Sequence, residues 1–380
     1  MAKQLTKFNP DYDPKLPGEH LRIFLEDRGI KIVDFARRTG RPTKTISGII
    51  AGNVSITPET ALQFERALGE SAGFWLALET EHQLSQARAK ESTAISGKDA
   101  ISWANKFPLV EMVKLKFFEK KPKELNLVDS VLRAFGVSSI SAWDQHWHKR
   151  INLSRLKQQT HNAVDPFAVA VWLRRAEITA DNIETKPYSE TAFRALIPSL
   201  RGLSTQPWGS ISDELVKICA EAGVAVALVP TVARTGLRGA AYWAKKDKAV
   251  IVISDRMKTE ASVWFSFFHE ACHILEHSKK SVFIDVNNRG SNRGSSGGDI
   301  EIEADEFSAE TLVPKVIVRE FQSNYGPKVT RISAKEFKNF ASLHKIAPGL
   351  LLVRLQHHSV IPHKTPLAKL KRKVEFTVQN

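Results

Sequence analysis

Apolar positions in the N-terminal ninety residues recur every three or four residues, which is the spacing of amphipathic helices. The pattern predicts five short helices between residues 18 and 90. The second and third, residues 31–39 and 42–51, are separated by a turn at Gly40. Two short helices joined by a glycine-containing turn are the arrangement of a helix-turn-helix.

The predicted third helix has one apolar face, which leaves polar side chains near its exposed N-terminal end. Short hydroxyl groups and cations at that end can reach base edges and phosphates in a DNA groove. The predicted DNA-binding residues are Arg41, Thr43, Lys44, Thr45 and Ser47. We therefore expect double-stranded operator DNA as a partner, and a homodimer that reads paired half-sites. The alternative is a helical bundle used only for dimerisation or for contact with another protein.

The residue composition and the apolar spacing change along the chain. Residues 87–105 have the composition of a linker, and residues 106–202 show a helical pattern with no evident chemistry. Beyond Pro207 the pattern predicts a helix and then three short strands at residues 224–229, 239–242 and 250–254. A strongly apolar helix follows the strands, and this order predicts an α+β domain.

The apolar helix contains the string His-Glu-Ala-Cys-His at residues 269–273, and Thr259 is its predicted N-cap. Four residues advance a helix by about 400°, so His269 and His273 lie on one face, a turn apart. Both imidazoles can then bind a single Zn²⁺, while Glu270 can act as a base on the attacking water. Polar groups on so apolar a helix are either hydrogen-bonded core groups or parts of a metal site, because unpaired burial is costly.

A catalytic zinc usually has three protein ligands and a water molecule, and a downstream glutamate is a common third ligand. A second predicted helix at residues 300–312 offers four such residues, namely Glu301, Glu303, Glu306 and Glu310. Spacing alone does not choose among them.

Two segments, WFSFFHEACHILEH at residues 264–277 and EIEADEFSAETLVP at residues 301–314, resemble the ImmA/IrrE family of zinc metallopeptidases. The resemblance covers about residues 206–375, including the tail IAPGLLLVRLQHHSVIP. It implies a compact zincin-like domain, Zn²⁺ as the cofactor and Glu270 as the catalytic base. It also implies that Glu303, the glutamate just before the Ala-Asp pair, is the third metal ligand. Residues 16–86 resemble antitoxins and repressors of the XRE/HigA type.

Three residues near the predicted metal ligands, His277, Asp305 and Cys272, have less direct roles. His277 lies four residues beyond His273, but each such step drifts about 40° around the helix, so we expect it outside the ligand set. Asp305 either orients a ligand histidine or belongs to a solvated helix face. Cys272 lies about 100° from the ligand face and is expected to be a small buried apolar residue.

The amino-acid composition indicates the kind of partner and the cellular location. The chain has 380 residues and a net charge of +14, from 55 basic and 41 acidic side chains, which favours a polyanionic partner. Two cysteines cannot form a disulfide framework, and we find neither a signal peptide nor a membrane-spanning apolar run. We expect a cytoplasmic protein without a membrane partner.

Together these features predict a multidomain chain. An all-α helix-turn-helix domain (16–86) is followed by a linker and helical middle region (87–205) and an α+β zincin-like metallopeptidase domain (206–375). The predicted function is a DNA-binding regulator whose zinc endopeptidase cleaves a regulatory protein, which could be a toxin or repressor partner, a separate regulator or the chain itself. The alternative is a non-catalytic HigA-like antitoxin or transcription factor whose metal domain senses or scaffolds. Glu270 favours the enzyme, since a structural site needs no acid–base group beside its ligand.

Overall fold

The computed structural model describes residues 16–95, 97–151, 164–277, 283–286 and 296–378. The chain divides into two units, residues 1–101 and residues 102–380. The finer division into three parts expected from the sequence stays a prediction. In the described ranges, none of the helices combines the length and the apolarity that crossing a membrane would require.

Five helices make up residues 16–95, as the apolar spacing predicts. They are α1 (Pro17–Asp27), α2 (Ile32–Thr39), α3 (Thr43–Ile50), α4 (Pro58–Leu68) and α5 (Ala72–Ile95). The last of them runs through residues 87–95, which the sequence indicated as linker. Residues 74–96 contain neither glycine nor proline, so the helix continues to Ile95.

The ends of these helices follow from particular residues. Gly40 ends α2 with φ 65°, the left-handed conformation that a residue with a side chain rarely adopts. The Thr57 hydroxyl accepts a hydrogen bond from the backbone N–H of Thr60 and so caps α4. Ser71 accepts from the backbone N–H of Phe74 in the same way at the start of α5. Gly40 therefore fixes the turn between α2 and α3, and the two hydroxyl groups fix the starts of α4 and α5.

The core of this unit is formed by buried apolar side chains from each helix, among them Leu21, Phe35, Ile46, Phe64 and Trp75. The start of α1 lies directly against the end of α3. A Cβ atom built on Gly18 would lie 2.0 Å from the carbonyl oxygen of Ile49, so only glycine allows this contact.

The second unit begins with helices that pack around aromatic rings. Among the described residues, the helices before the sheet are α6 (Lys98–Ala104), which crosses the unit boundary, α7 (Leu109–Lys114), α8 (Glu124–Phe135), α9 (Ile140–Ile151), α10 (Pro166–Asp181), α11 (Glu190–Leu203) and α12 (Trp208–Glu221). The rings of Trp143 and Phe167 stack at 5.3 Å with an interplanar angle of 4°. Phe107 packs edge-on against both rings, so these helices share an aromatic core.

Within the described residues, four strands form one sheet in the order β1-β3-β2-β4. They are β1 (Val224–Val229), β2 (Leu237–Lys245), β3 (Lys248–Ser254) and β4 (Phe283–Val286). The first and third strands are parallel, while β2 pairs antiparallel with both β3 and β4. Three of these strands match those predicted from the sequence. The fourth was missed because a run of four residues is too short to show a periodic pattern.

The helix carrying the HExxH string, α13 (Glu260–Glu276), contacts β2 and β3. The helices after it are α14 (Ser296–Leu312), α15 (Lys315–Tyr325), α16 (Ala334–Leu343) and α17 (Pro348–His357), with 3₁₀ turns at Gly326–Arg331 and Pro366–Leu370. Both α14 and α17 contact α13. The HExxH helix is thus enclosed between the sheet and two other helices.

The C-terminal segment fixes where α13 begins. The backbone N–H of Glu260 donates to the carbonyl oxygen of Arg372 at 3.1 Å, and the Glu260 carboxylate pairs with the Arg372 guanidinium at 2.5 Å. Further along, the backbone N–H of Phe376 donates to the buried carboxylate of Asp255 at 2.9 Å. These contacts hold the first turn of α13 in place.

We predict that Gly18→Ala destabilises the helix-turn-helix unit by about 1–3 kcal/mol, because the added methyl group overlaps the Ile49 carbonyl and forces α1 away from α3. Hydrogen exchange of peptides from α1 to α4 in the full chain measures the loss. Gly73→Ala in α5 is the matched control, since the nearest atom to its Cβ lies 3.8 Å away and alanine favours a helix. Equal protection in the two variants would contradict the prediction.

Candidate metal centre

The HExxH string lies in the middle of α13, where every residue from Ser266 to Leu275 is buried. The Thr259 hydroxyl caps the helix by accepting from the backbone N–H of Ser262. His269, Glu270 and His273 are 2%, 0% and 1% exposed. Three polar side chains buried on one helix need polar partners, because burial without them costs several kcal/mol.

Helix α14 supplies those partners because it can approach α13 closely. Ala304 and Ser308 on its inner face are both 0% exposed, and neither has a side chain long enough to separate the helices. The Ser308 hydroxyl donates to the carbonyl oxygen of Phe265 at 2.8 Å and fixes the two helices against each other. Glu301 and Asp305, one turn apart on the same face of α14, therefore reach the histidines.

Three donor groups converge at this point, namely His269, His273 and Glu301. The two Nε2 atoms are 3.2 Å apart, His269 Nε2 lies 3.2 Å from Glu301 Oε2, and His273 Nε2 lies 3.7 Å from Glu301 Oε1. Ligand atoms arranged tetrahedrally at about 2.0–2.1 Å from a zinc ion are separated by about 3.3–3.4 Å. The observed spacings match the donor set that zinc requires.

The other ring nitrogens of the two histidines also have partners. His269 Nδ1 lies 2.9 Å from Asp305 Oδ1, and His273 Nδ1 lies 2.9 Å from His277 Nδ1. Each imidazole is thus held at Nδ1 while its Nε2 points at the shared centre. Of the two interpretations of Asp305, the observed contact matches the one in which it orients a ligand histidine.

Glu303, which the family resemblance implied as the third ligand, lies elsewhere. Its carboxylate is 60% exposed and lies 3.3 Å from His277 Nε2, while Glu301 occupies the place beside His269 and His273. Two residues turn a helix by about 200°, so Glu301 and Glu303 point to different sides of α14. The structure thus places Glu301, and not Glu303, beside the two histidines.

The protonation state of the site suits a metal ion. Burial, followed by the charge that His269 and His277 would carry, lowers the pKa of His273 to about 2. His273 is therefore neutral at physiological pH and keeps an Nε2 lone pair for a metal. A neutral imidazole and a carboxylate are both donors that zinc accepts.

Glu270 lies against the sheet through a glycine that sequence reasoning missed. A Cβ atom on Gly239 of β2 would lie 2.4 Å from Glu270 Oε1 and 2.9 Å from its Cγ. Any larger residue at position 239 would displace the Glu270 side chain. The sequence alone does not show that Gly239 lies opposite Glu270, because this contact depends on how β2 packs against α13.

Comparisons with known proteins give one matching family model and several similar proteins. Residues 220–356 match the family model Peptidase_M78, described as IrrE N-terminal-like domain. Virulence-associated protein A of Dichelobacter nodosus is 33% identical over 76 residues, 20% of this chain and 74% of that protein. The uncharacterized HTH-type transcriptional regulator YddM of Escherichia coli (strain K12) is 28% identical over 71 residues, 19% of this chain and 76% of that protein. The chain belongs to the XRE/HigA-type helix-turn-helix proteins and carries an IrrE-like Peptidase_M78 domain.

Among solved structures, the Pseudomonas aeruginosa antitoxin HigA with the higBA promoter is 31% identical. The similarity covers 22% of this chain and 91% of the HigA chain, with a TM-score of 0.21.

In the helix-turn-helix unit, α3 buries Ile46 and Ile49 and turns its polar residues outward. Four of the predicted DNA-binding residues line this helix, where Thr43, Lys44 and Ser47 are exposed and Thr45 is half-buried. Arg41, just before α3, is half-buried, and its Nε donates to Gln63 Oε1 at 2.6 Å. The five residues thus lie within one short segment at the N-terminal end of α3.

Cys272 of the IrrE-like domain is fully buried, as its position off the ligand face predicts. Burial, followed by the nearby Glu303 carboxylate, raises the pKa of the Cys272 thiol to about 12. The thiol is therefore protonated at physiological pH and does not compete with the histidines for a metal, since thiolates are the ligands.

We predict that the metal-free protein loses stability as the pH falls below about 6.5, the ordinary pKa of an unfolded histidine. Folded His273, with its pKa lowered to about 2, stays neutral while the unfolded chain takes up the proton. Each such proton costs about 1.4 kcal/mol of unfolding free energy per pH unit. His273→Gln should remove that part of the pH dependence between pH 6 and 4.

Urea unfolding in the presence of a chelator, followed by tryptophan fluorescence, measures this pH dependence. His363→Gln is the control, because His363 is exposed. If His273→Gln and His363→Gln changed the slope by the same amount, burial of His273 would not be its cause.

Proposed function

We propose that the protein is a DNA-binding regulator whose IrrE-like domain is a zinc-dependent endopeptidase acting on a regulatory protein partner. The observation that carries the proposal is the convergence of two imidazole Nε2 atoms and the Glu301 carboxylate beside the fully buried Glu270. The match of residues 220–356 to a metallopeptidase family supports it. The helix-turn-helix unit on the same chain supports a regulatory protein as substrate over bulk degradation.

His269, His273 and Glu301 would hold the ion. Zinc, when bound, would supply a Lewis acid that polarises the peptide carbonyl and lowers the pKa of water. Three protein ligands leave a coordination position open, which is the difference between catalytic and structural zinc sites. Asp305 and His277 keep the two imidazoles aimed at the centre through their Nδ1 atoms.

Glu270 would be the acid–base residue. It follows His269 directly in α13, and Gly239 leaves the space that its carboxylate occupies. The carboxylate takes a proton from the attacking water and then delivers it to the nitrogen of the leaving amine. A fully buried carboxylate on the ligand helix has no comparable use in a domain that only senses or scaffolds.

Glu270→Gln should therefore bind one zinc per chain, as the wild type does, and lower peptide cleavage by about 10²–10⁴-fold, the contribution of a positioned base. Metal analysis of the purified full chain gives the zinc content. Profiling of new protein N-termini in cells that express each form measures cleavage and covers both a partner and the chain itself.

Glu306→Gln, on the outer face of α14, is the matched control and should retain cleavage. If no form generates new N-termini while all bind zinc, the protein is the non-catalytic regulator. If the wild type binds no zinc, the metal site itself is wrong.

The helix-turn-helix unit would bind double-stranded operator DNA through the N-terminal end of α3. The exposed Thr43, Lys44 and Ser47 provide hydroxyl groups and a cation at the end of a helix, which can contact bases and phosphates. The similarity to a protein described as an HTH-type transcriptional regulator supports this role. Binding as a homodimer would place one α3 in each of two half-sites.

Lys44→Ala and Arg41→Ala should each weaken binding to a DNA fragment selected from a random library by the wild type. Loss of one phosphate contact should reduce the slope of log affinity against log salt concentration by about 0.9. Fluorescence anisotropy at several salt concentrations measures both quantities. Lys338→Ala, at an exposed position in the second unit, is the control. Unchanged affinity and slope in both variants would show that α3 is not the recognition helix.

A further inference from the structure

We propose that His277 and Glu303 form a hydrogen-bond relay that positions His273 as a metal ligand, an inference that rests on the proposed zinc site. The relay runs from His273 Nδ1 to His277 Nδ1 at 2.9 Å and from His277 Nε2 to Glu303 Oε2 at 3.3 Å. Neither residue lies in the donor cluster formed by His269, His273 and Glu301. Both are positioning residues that act through His273.

The end of α13 makes this contact possible. A further helical turn would carry His277 about 40° away from His273. The helix stops at Glu276, however, and His277 has extended backbone angles of φ −115° and ψ 168°. Its ring can therefore return to the His273 ring, whose centroid lies 5.0 Å from its own.

Metal binding at Nε2 would leave one arrangement of protons for the relay. When the Nε2 lone pair of His273 binds an ion, its Nδ1 carries the hydrogen and donates it to His277. His277 Nδ1 must then be the acceptor, so the His277 hydrogen is on Nε2 and is donated to the Glu303 carboxylate. The carboxylate at the end of the relay stabilises this arrangement, as outer carboxylates do for metal-binding histidines.

The ligand histidine His269 is supported in the same way, but through a shorter connection. His269 Nδ1 contacts Asp305 Oδ1 directly, whereas His273 reaches its carboxylate through an intervening imidazole. Each ligand histidine is thus connected to one carboxylate of α14. Glu303, although turned away from the donor cluster, still acts on the metal site through two rings.

The phenyl ring of Phe283 completes the support of His273. It stacks on the imidazole at 4.3 Å with an interplanar angle of 7°. Stacking restrains tilting of the His273 ring, and the hydrogen bond to His277 selects its rotation in the plane. The two contacts act on different motions, so loss of the relay is not compensated by the stacking.

Zinc affinity of the full-length protein, measured by competition with a chromophoric chelator, tests the relay without any need for peptidase activity. His277→Phe keeps a ring but has no acceptor, and Glu303→Ala removes the terminal carboxylate. Each should weaken zinc binding by about 10–100-fold while one zinc per chain still binds at saturation. His277→Asn places an amide oxygen near the position of Nδ1 and should recover most of the affinity.

Glu306→Ala and Glu301→Gln are the two reference variants. Glu306 lies on the same helix as Glu303 and pairs with Lys315 outside the site, so its loss should leave zinc affinity unchanged. Glu301→Gln removes a ligand and should change the visible absorption of Co²⁺ bound in place of zinc. Glu303→Ala and His277→Phe should leave that absorption like the wild type, because the ligand atoms are unchanged.

Two results would overturn the relay. Wild-type zinc affinity in both His277→Phe and Glu303→Ala would show that the contacts do not support the ligand. A Co²⁺ spectrum altered by Glu303→Ala as much as by Glu301→Gln would make Glu303 a direct ligand. A wild-type protein that binds zinc but cuts nothing would refute the proposed peptidase and leave the relay standing, whereas a wild-type protein without zinc would refute both.

Discussion

The close packing of α14 against α13 is the contact on which the metal centre depends. The histidines share a face because of helix geometry alone, but the carboxylates reach them only because Ala304 and Ser308 allow the helices to approach. The hydrogen bond from Ser308 to the Phe265 carbonyl sets the rotation of α14 about its own axis. That rotation decides which acidic residues face the centre.

The sequence predicted the elements well where the information is local. The helix-turn-helix helices follow from apolar spacing, Gly40 and Thr57, and the strands β1 and β3 follow from runs that contain several β-branched residues. The choice between Glu301 and Glu303 was not local, since it depends on how one helix is rotated against another. The short strand β4, whose Phe283 stacks on His273, was missed because four residues are too few to show a pattern, and its place in the sheet comes from pairing with β2.

The buried polar groups of α13 also explain the arrangement around it. A helix with two histidines and a glutamate in its core is stable only if the neighbouring elements provide partners or space. Gly239 provides space for Glu270, and α14 provides carboxylates for the histidines. The C-terminal segment, through Arg372 and Glu260, holds the first turn of the same helix. Distant parts of the unit therefore contribute to the position of the site.

The two proposed activities use separate residues in separate units. The DNA-binding residues lie between positions 41 and 47 in the first unit, while the metal ligands and Glu270 lie between positions 269 and 301 in the second. The two sets share no residue, so a substitution in one set leaves the residues of the other unchanged. Under the proposed function, the effect of cleavage on regulation can therefore be tested with every DNA-binding residue in place.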